Sequence, residues 1–276
     1  MKFPVGLQLY SVRDALEADY EGTLKAVSEM GYEAVEFACG LYGHTPEEVR
    51  ALCDKYHLVP LSTHVPIEEL FADPEGVMAT YQKIGCKYLV IPYIGREFFC
   101  CNERWPDLID LAARLGKLGK KYDLTVCYHN HNFEFDNKLG DEYMLDAIYR
   151  LVPADLLQTQ LDTCWVNVGG EDPAAYVRKY AGRCPTVHLK DFVGKKSEHM
   201  FALIGINDDA EKKAAANKEF TLMPCGYGVQ NFPEILKACE DAGAEWIIIE
   251  QDRPSMDKSS MECAKMSIDY IKTINK

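Results

Sequence analysis

Short apolar runs alternate along this chain with longer stretches whose apolar residues recur at helical spacing. Residues 5–10, 32–37, 58–65, 87–94, 124–131, 156–162, 185–190 and 246–250 read as strands. Between and after them, helices are predicted over 20–30, 46–56, 73–85, 102–122, 141–151, 172–180, 233–242 and 259–274. The helix ends are written into the sequence. Gly31 and Gly85 stop two helices, and Thr45-Pro46-Glu47-Glu48 sets an N-cap, a proline at the first helical position and the glutamate of a capping box. Leu108, Leu111, Ala112, Leu115 and Leu118 mark one buried face of the longest helix.

Strands that alternate one for one with helices run parallel, joined by right-handed crossovers, and eight such units in 276 residues predict a single closed (β/α)8 barrel spanning residues 1–276. The alternative, an open doubly wound sheet, lacks its usual signatures, for no G-x-G-x-x-G turn follows the first strand and there is no Walker loop. One connection breaks the rhythm. Residues 191–230 separate the seventh strand from its helix by about 40 residues, against roughly 2 to 6 in ordinary βα loops. This insertion is expected to act as an active-site lid, with a short helix around Glu211-Lys212-Lys213-Ala214-Ala215-Ala216.

Composition narrows the partners. A net charge of -13 disfavours a protein that lives on nucleic acid, whose phosphates require clustered Lys and Arg. No apolar stretch approaches the ~20 residues of a membrane span, and Met1-Lys2-Phe3-Pro4 leads straight into a strand pattern, so a cytoplasmic location away from membranes is expected. Eleven cysteines without a C-x-x-C read as thiols of a reducing compartment, and Cys127 and Cys164 as small apolar packers.

In a barrel of this kind the C-terminal strand ends converge, so donors there meet one another. Reading those ends in order gives Gln8 and Tyr10, Glu36, His64, Tyr93, His129 and His131, Asp162, His188 and Lys190, then Glu250 and Asp252. With the fifth strand running to residue 131, a period of two puts His129 and His131 on one face, and Glu134 follows within reach. The plain alternative is that both imidazoles are hydrogen-bonded core residues. Several carboxylates and imidazoles around one axis would each cost several kcal/mol unpaired, and a divalent cation offsets that most simply. The mixed nitrogen and oxygen set suits Mn, Co, Mg, Fe or Zn. Tyr10, Tyr93, Phe98, Phe99 and Trp165 would supply apolar walls for a sugar ring. Gly169-Gly170, Arg13, Arg96 and Arg253 are candidates for an anionic group.

The runs Gln158-Thr159-Gln160-Leu161-Asp162-Thr163-Cys164-Trp165, Val187-His188-Leu189-Lys190-Asp191, Gly226-Tyr227-Gly228-Val229 and Ile248-Ile249-Glu250-Gln251-Asp252 resemble those of the xylose-isomerase-like TIM-barrel sugar phosphate isomerase/epimerase family, and the similarity extends over nearly the whole chain. The resemblance implies one divalent metal ion held by Glu, Asp, His and Glu from strands five to eight. Asp162, His188 and Glu250 match the last three, while His129 stands where ketose 3-epimerases carry the first Glu, with His131 close behind. Glu134 matches the family's second acidic residue beyond strand five, which touches substrate hydroxyls.

The implied activity is a sugar isomerase or epimerase that removes a proton beside a carbonyl through a metal-stabilised enediolate, with Glu250, His131, Glu134 and Lys190 as catalytic groups. Gln8, Tyr10, Glu36, His64, Tyr93, Trp165 and Asp252 are then the substrate-binding set. Loss of the strand-five Glu makes elimination the rival reading, a dehydratase or lyase acting on an inosose or 3-keto-glycoside like the relatives this chain also resembles. A non-catalytic sugar-binding barrel and a nuclease of the AP-endonuclease type are the remaining classes, the latter disfavoured by charge and by only seven histidines. The expected partner is a small carbohydrate, and a homodimer through the outer helices is expected from the habits of such enzymes.

Overall fold

Eight strands pair in parallel and close on themselves: β1 (Val5–Gln8), β2 (Ala34–Phe37), β3 (Val59–His64), β4 (Tyr88–Ile91), β5 (Thr125–His129), β6 (Gln158–Asp162), β7 (Thr186–Leu189) and β8 (Trp246–Ile249), with β8 returning to β1. The computed structural model describes residues 2–38, 40–198, 200 and 219–276. Among the described residues, eight helices cover the outside: α1 (Tyr20–Met30), α2 (Pro46–Lys55), α3 (Pro74–Ile84), α4 (Trp105–Tyr122), α5 (Met144–Leu151), α6 (Pro173–Lys179), α7 (Phe232–Ala242) and α8 (Ser260–Ile274). The chain is thus the predicted (β/α)8 barrel.

Local chemistry fixes the helix ends. The Asp19 carboxylate accepts the Gly22 N–H at the start of α1, and Gly31 closes it at φ 93°, a left-handed conformation that glycine adopts without penalty. The Thr45/Glu48 capping box is formed, and a second one, Ser259/Glu262, opens α8.

Register sorts the inward side chains into two layers. Ala34, Leu61, Tyr88, Val90, Cys127 and Ile248 form an apolar floor inside the barrel. Above it the paired positions Gln8 and Glu36, Glu36 and Ser62, His129 and Gln160, and Asp162 and His188 make a polar layer. The strands' outward faces join the helices in the main hydrophobic core. Cys127 belongs to the floor and burial drives its thiol pKa far up, as expected of a packing residue.

Differences from the sequence reading sit where side chains take over backbone hydrogen bonds. The fifth strand stops at His129 instead of continuing to residue 131. Asn130 turns its amide onto the backbone of Asp162 (3.0 and 3.3 Å), and the His131 N–H goes to Glu134 Oε2 at 2.9 Å, so the chain leaves the sheet. The first strand ends at Gln8, whose Oε1 accepts the Tyr10 N–H and starts the 3-10 turn Leu9–Val12. Short helices at Arg13–Ala18, Ile67–Ala72, Phe133–Asp136 and Thr163–Val168 were not predicted, nor was a two-stranded ribbon of Lys138–Leu139 with Glu142–Tyr143 ahead of α5.

The connection after β7 is partly structured. Asp191–Gly194 and Phe220–Met223 pair as an antiparallel ribbon, while the helix expected over residues 211–216 lies outside the described residues. Asp191 ties the ribbon's base to the following turn. Its Oδ1 accepts the N–H of Phe192 (3.0 Å) and Gln230 (3.1 Å), and its Oδ2 those of Gly226 and Gly228 (both 2.9 Å). Gly228 lies so close to this carboxylate that a Cβ would stand 2.2 Å from Asp191 Oδ1. Replacing Asp191 by alanine strands these four donors, and the expected loss is about 3 kcal/mol of unfolding free energy in urea titrations. Equal stability of the two proteins would contradict this account of the turn.

Candidate functional site

The polar layer and the strand ends bring four donors together. Ligand atoms of His129, Asp162, His188 and Glu250 all lie within 4.8 Å of one another, and all four residues are buried. His129 Nε2 is 3.7 Å from Asp162 Oδ2, and His188 Nδ1 is 2.9 Å from Glu250 Oε2. Period two explains the convergence. Asp162 registers with His188, while Ile248 registers with His188 and leads to Glu250 two residues on.

Lys190 enters this cluster with its ammonium 2.9 Å from Glu250 Oε2, 3.3 Å from Asp162 Oδ2 and 3.1 Å from Asp252 Oδ1. It therefore pairs with these three carboxylates, while its neighbour Asp191 is engaged by backbone N–H groups. Burial alone would lower the lysine pKa, but Asp252, Glu250 and Asp162 outweigh it and hold the ammonium charged. Glu250 is likewise held well below the usual carboxylate range, because Lys190 and His188 outweigh its burial. Burial pushes Asp252 up to about 6 and raises Asp162. The His188 imidazole is pushed up to about 10, since Glu36 and Glu250 on its two sides overcome burial, whereas burial drives His129 far down.

Other predicted residues take distinct places. His131, beyond the strand, sits with its ring 5.2 Å from that of His129 and 5.6 Å from Trp165, and its buried Nδ1 has no hydrogen-bond partner. Trp165 is fully buried, with the Lys190 ammonium 5.1 Å from its ring and Phe220 of the ribbon stacked at 5.8 Å. Gln8, Glu36 and His64 lie lower, inside the barrel. Glu36 is completely enclosed and accepts from Gln8 Nε2 at 2.7 Å and Ser62 Oγ at 2.5 Å, so its carboxylate is occupied by the protein itself. Tyr10 is half-buried with the Arg13 guanidinium 4.0 Å from its ring, and Tyr93 is half-buried in the segment after β4. Arg13 also donates to the backbone oxygens of Tyr10 and Asp252, a brace for the last strand's exit. Gly169, one of the two glycines considered for anion binding, instead packs tightly on the Phe135 ring.

Glu134 is fully buried, its Oε1 accepting from the Tyr128 hydroxyl (2.8 Å) and its Oε2 from the His131 N–H. Burial raises its carboxyl from 4.5 to about 8. The folded protein therefore keeps this proton where an unfolded chain gives it up. The stability tied to it is complete below about pH 4.5 and drains as pH rises through about 8. Glu134→Gln is expected to flatten that part of the decline between about pH 5 and 9 in urea melts. Identical slopes in the two proteins would refute the assignment.

Three site residues escaped the sequence reading. Gln160, Ser62 and Asn130 each hold a member of the cluster or its supports. The spacing Gln158-x-Gln160-x-Asp162 on one strand carried the signal for Gln160.

The donor set fits a divalent ion on its own terms. It offers two imidazoles and two carboxylates, and Asp162 turns Oδ2 into the cluster, with only the Lys190 ion pair and no hydrogen bond on it, while its other oxygen caps the helix at Thr163–Val168. Around it, Glu36, Asp162, Glu250 and Asp252 outnumber the cationic groups Lys190 and His188.

The chain belongs to the xylose isomerase-like TIM barrel family, whose model matches residues 24–274. Among curated relatives, an inosose dehydratase of Geobacillus kaustophilus is 22% identical over 272 residues, covering 90% of this chain and 85% of that protein. One from Clostridium beijerinckii is 27% identical over 187 residues, a match spanning 66% of this chain and 58% of the relative. Solved structures share the fold. A sugar phosphate isomerase/epimerase from Parabacteroides distasonis superposes with a TM-score of 0.76 at 20% identity over 99% of this chain and 94% of that one. The IOLI protein, solved with a bound zinc atom, gives 0.71 at 16% identity over 99% and 98% of the two chains. Among the described residues no helix is long and apolar enough to cross a membrane.

Proposed function

We propose that this protein is a divalent-metal-dependent enzyme that removes a proton next to the carbonyl of a keto-sugar or keto-cyclitol and then expels a leaving group, as a dehydratase or lyase. The observation that carries the reading is the buried convergence of His129, Asp162, His188 and Glu250, whose ligand atoms all lie within 4.8 Å of one another. An ion held by these four residues would polarise the substrate carbonyl and stabilise the developing enediolate.

The chain's own groups do the rest. Glu250, kept ionised by Lys190 and His188, is the base that takes the proton. Lys190 places a positive charge beside the base for the developing oxyanion. His131, kept neutral by burial and with no hydrogen-bond partner at Nδ1, would bind a substrate hydroxyl, and the proton taken by Glu250 would leave with the departing oxygen. Trp165 and the ribbon of Asp191–Gly194 with Phe220–Met223 form the apolar wall.

Elimination ranks above isomerisation or epimerisation because of one side chain. A two-base epimerase needs a second free carboxylate opposite Glu250. Strand five supplies His129 instead, and Glu134 is fully enclosed with both oxygens engaged. The two inosose dehydratases described above support the same order, while the isomerase/epimerase neighbour supports the alternative.

The test is product analysis by NMR and mass spectrometry in D2O, with metal-loaded protein and a panel of inososes, 3-keto-glycosides and ketohexoses. Loss of water or of an aglycone is expected. Deuterium next to the carbonyl with every hydroxyl intact would establish the isomerase/epimerase reading instead. Inertness toward the whole panel would remove the substrate class.

A further inference from the structure

His129 and His188 each present one ring nitrogen to the donor cluster and the other to the barrel interior. The interior nitrogens end on two side chains. His129 Nδ1 is 3.1 Å from Gln160 Oε1, and the same oxygen is 2.7 Å from His64 Nε2. His188 Nε2 is 2.7 Å from Glu36 Oε1. Gln160 is locked in turn, its Nε2 donating to Glu36 Oε2 at 2.6 Å and to Thr186 Oγ1 at 3.3 Å.

A carboxylate in this place can only accept hydrogen bonds. Whatever faces Glu36 must donate, so the Gln160 amide turns its NH2 to Glu36 and its carbonyl to His129 and His64. A carbonyl oxygen also only accepts, which places the His129 proton on Nδ1 and leaves the Nε2 lone pair on the Asp162 side. By the same logic His188 carries a proton on Nε2; its Nδ1 also donates, to Glu250, while no ion is bound, and because Glu36 holds the Nε2 proton it is the Nδ1 proton that must leave for an ion to be ligated. Glu36 can impose this because it is anchored from several strands, by Gln8 of β1, Ser62 and His64 of β3, Gln160 of β6 and His188 of β7.

We infer that Glu36, directly at His188 and through Gln160 at His129, sets the tautomers of both cluster histidines and so makes them competent metal ligands; it is a positioning residue and not a substrate contact. The inference rests on the metal-dependent reading of the site. It also accounts for how the chain accommodates histidine in strand five. A carboxylate has lone pairs on both oxygens and needs no such device, whereas an imidazole with its proton on the wrong nitrogen cannot bind an ion.

The test measures zinc affinity, by competition with a chromophoric chelator, for the intact chain, Glu36→Gln, Gln160→Leu and Tyr32→Phe. Ring-nitrogen NMR of the zinc-loaded wild-type protein accompanies it. Glutamine at position 36 presents an amide that can donate toward His188, so affinity is expected to fall roughly 10- to 100-fold, and similarly for Gln160→Leu. Tyr32→Phe removes a buried hydrogen bond to Ala264 far from the site and is expected to stay within about 3-fold, separating tautomer control from general destabilisation. The spectrum is expected to show protons on His129 Nδ1 and His188 Nε2. Folded Glu36→Gln with undiminished affinity overturns the inference alone, as do protons on the opposite nitrogens, and the wild-type spectrum decides even if that variant fails to fold. Failure of the wild-type protein to take up zinc, cobalt or manganese overturns both this inference and the metal-dependent reading.

Discussion

Glu250→Gln is expected to lower turnover by about 10³-fold or more, the largest loss of any single isosteric change in the site. Its Oε2 sits 2.9 Å from both His188 Nδ1 and Lys190 Nζ, so one carboxylate joins the donor cluster to the buried ammonium. The amide removes the base, since glutamine cannot accept a proton at neutral pH. It also replaces an anionic oxygen donor with a neutral one. The fold should survive, because the residue lies beyond the end of β8 and the strand's pairing to β7 and β1 does not involve its side chain. Steady-state kinetics on the best substrate of the panel measures the loss, with circular dichroism confirming the fold. A fall of less than about 10-fold would show that another group takes the proton.

Stripping divalent ions with a strong chelator is expected to reduce activity by a comparable factor, about 10³-fold, with recovery on adding back Zn, Co or Mn. The stripped protein should nevertheless remain folded. Lys190, with its ammonium within 3.3 Å of three carboxylates, and His188, flanked by Glu36 and Glu250, neutralise much of the buried negative charge without an ion. Thermal unfolding should shift upward on reloading by mass action, in step with ion concentration. Full activity after exhaustive chelation would contradict the assignment of the cluster.

The (β/α)8 barrel was legible because its signals are local and repeated. Gly31 closes α1, Thr45 and Glu48 open α2, and the apolar strand cores recur between them, so each unit announces itself independently of the others. The donor cluster was legible for a related reason. Strand ends in such a barrel converge, so Asp162, His188 and Glu250 could be brought together from their positions alone.

What stayed hidden depends on side chains that displace backbone partners. Asn130 and Glu134 end β5 two residues early, and Asp162 nucleates a helix at Thr163 through its carboxylate; neither effect changes the hydrophobic pattern. Glu36 and Gln160 were hidden in another way. A carboxylate open to a ligand and one enclosed by protein donors look alike in sequence, and the donors around Glu36, from Gln8, Ser62, His64, Gln160 and His188, come from strands that only the closed barrel brings together. The ribbon after β7 pairs residues far apart in the chain, Asp191 with Met223, a contact that no local pattern encodes.

The most direct test of the account is anomalous X-ray diffraction from crystals loaded with zinc, recorded on both sides of the metal's absorption edge. One peak per chain is predicted, with His129 Nε2, Asp162 Oδ2, His188 Nδ1 and a Glu250 oxygen each about 2.0 to 2.2 Å away. An ion bound elsewhere, or a cluster that stays closed around Lys190 with no peak at saturating zinc, would contradict it.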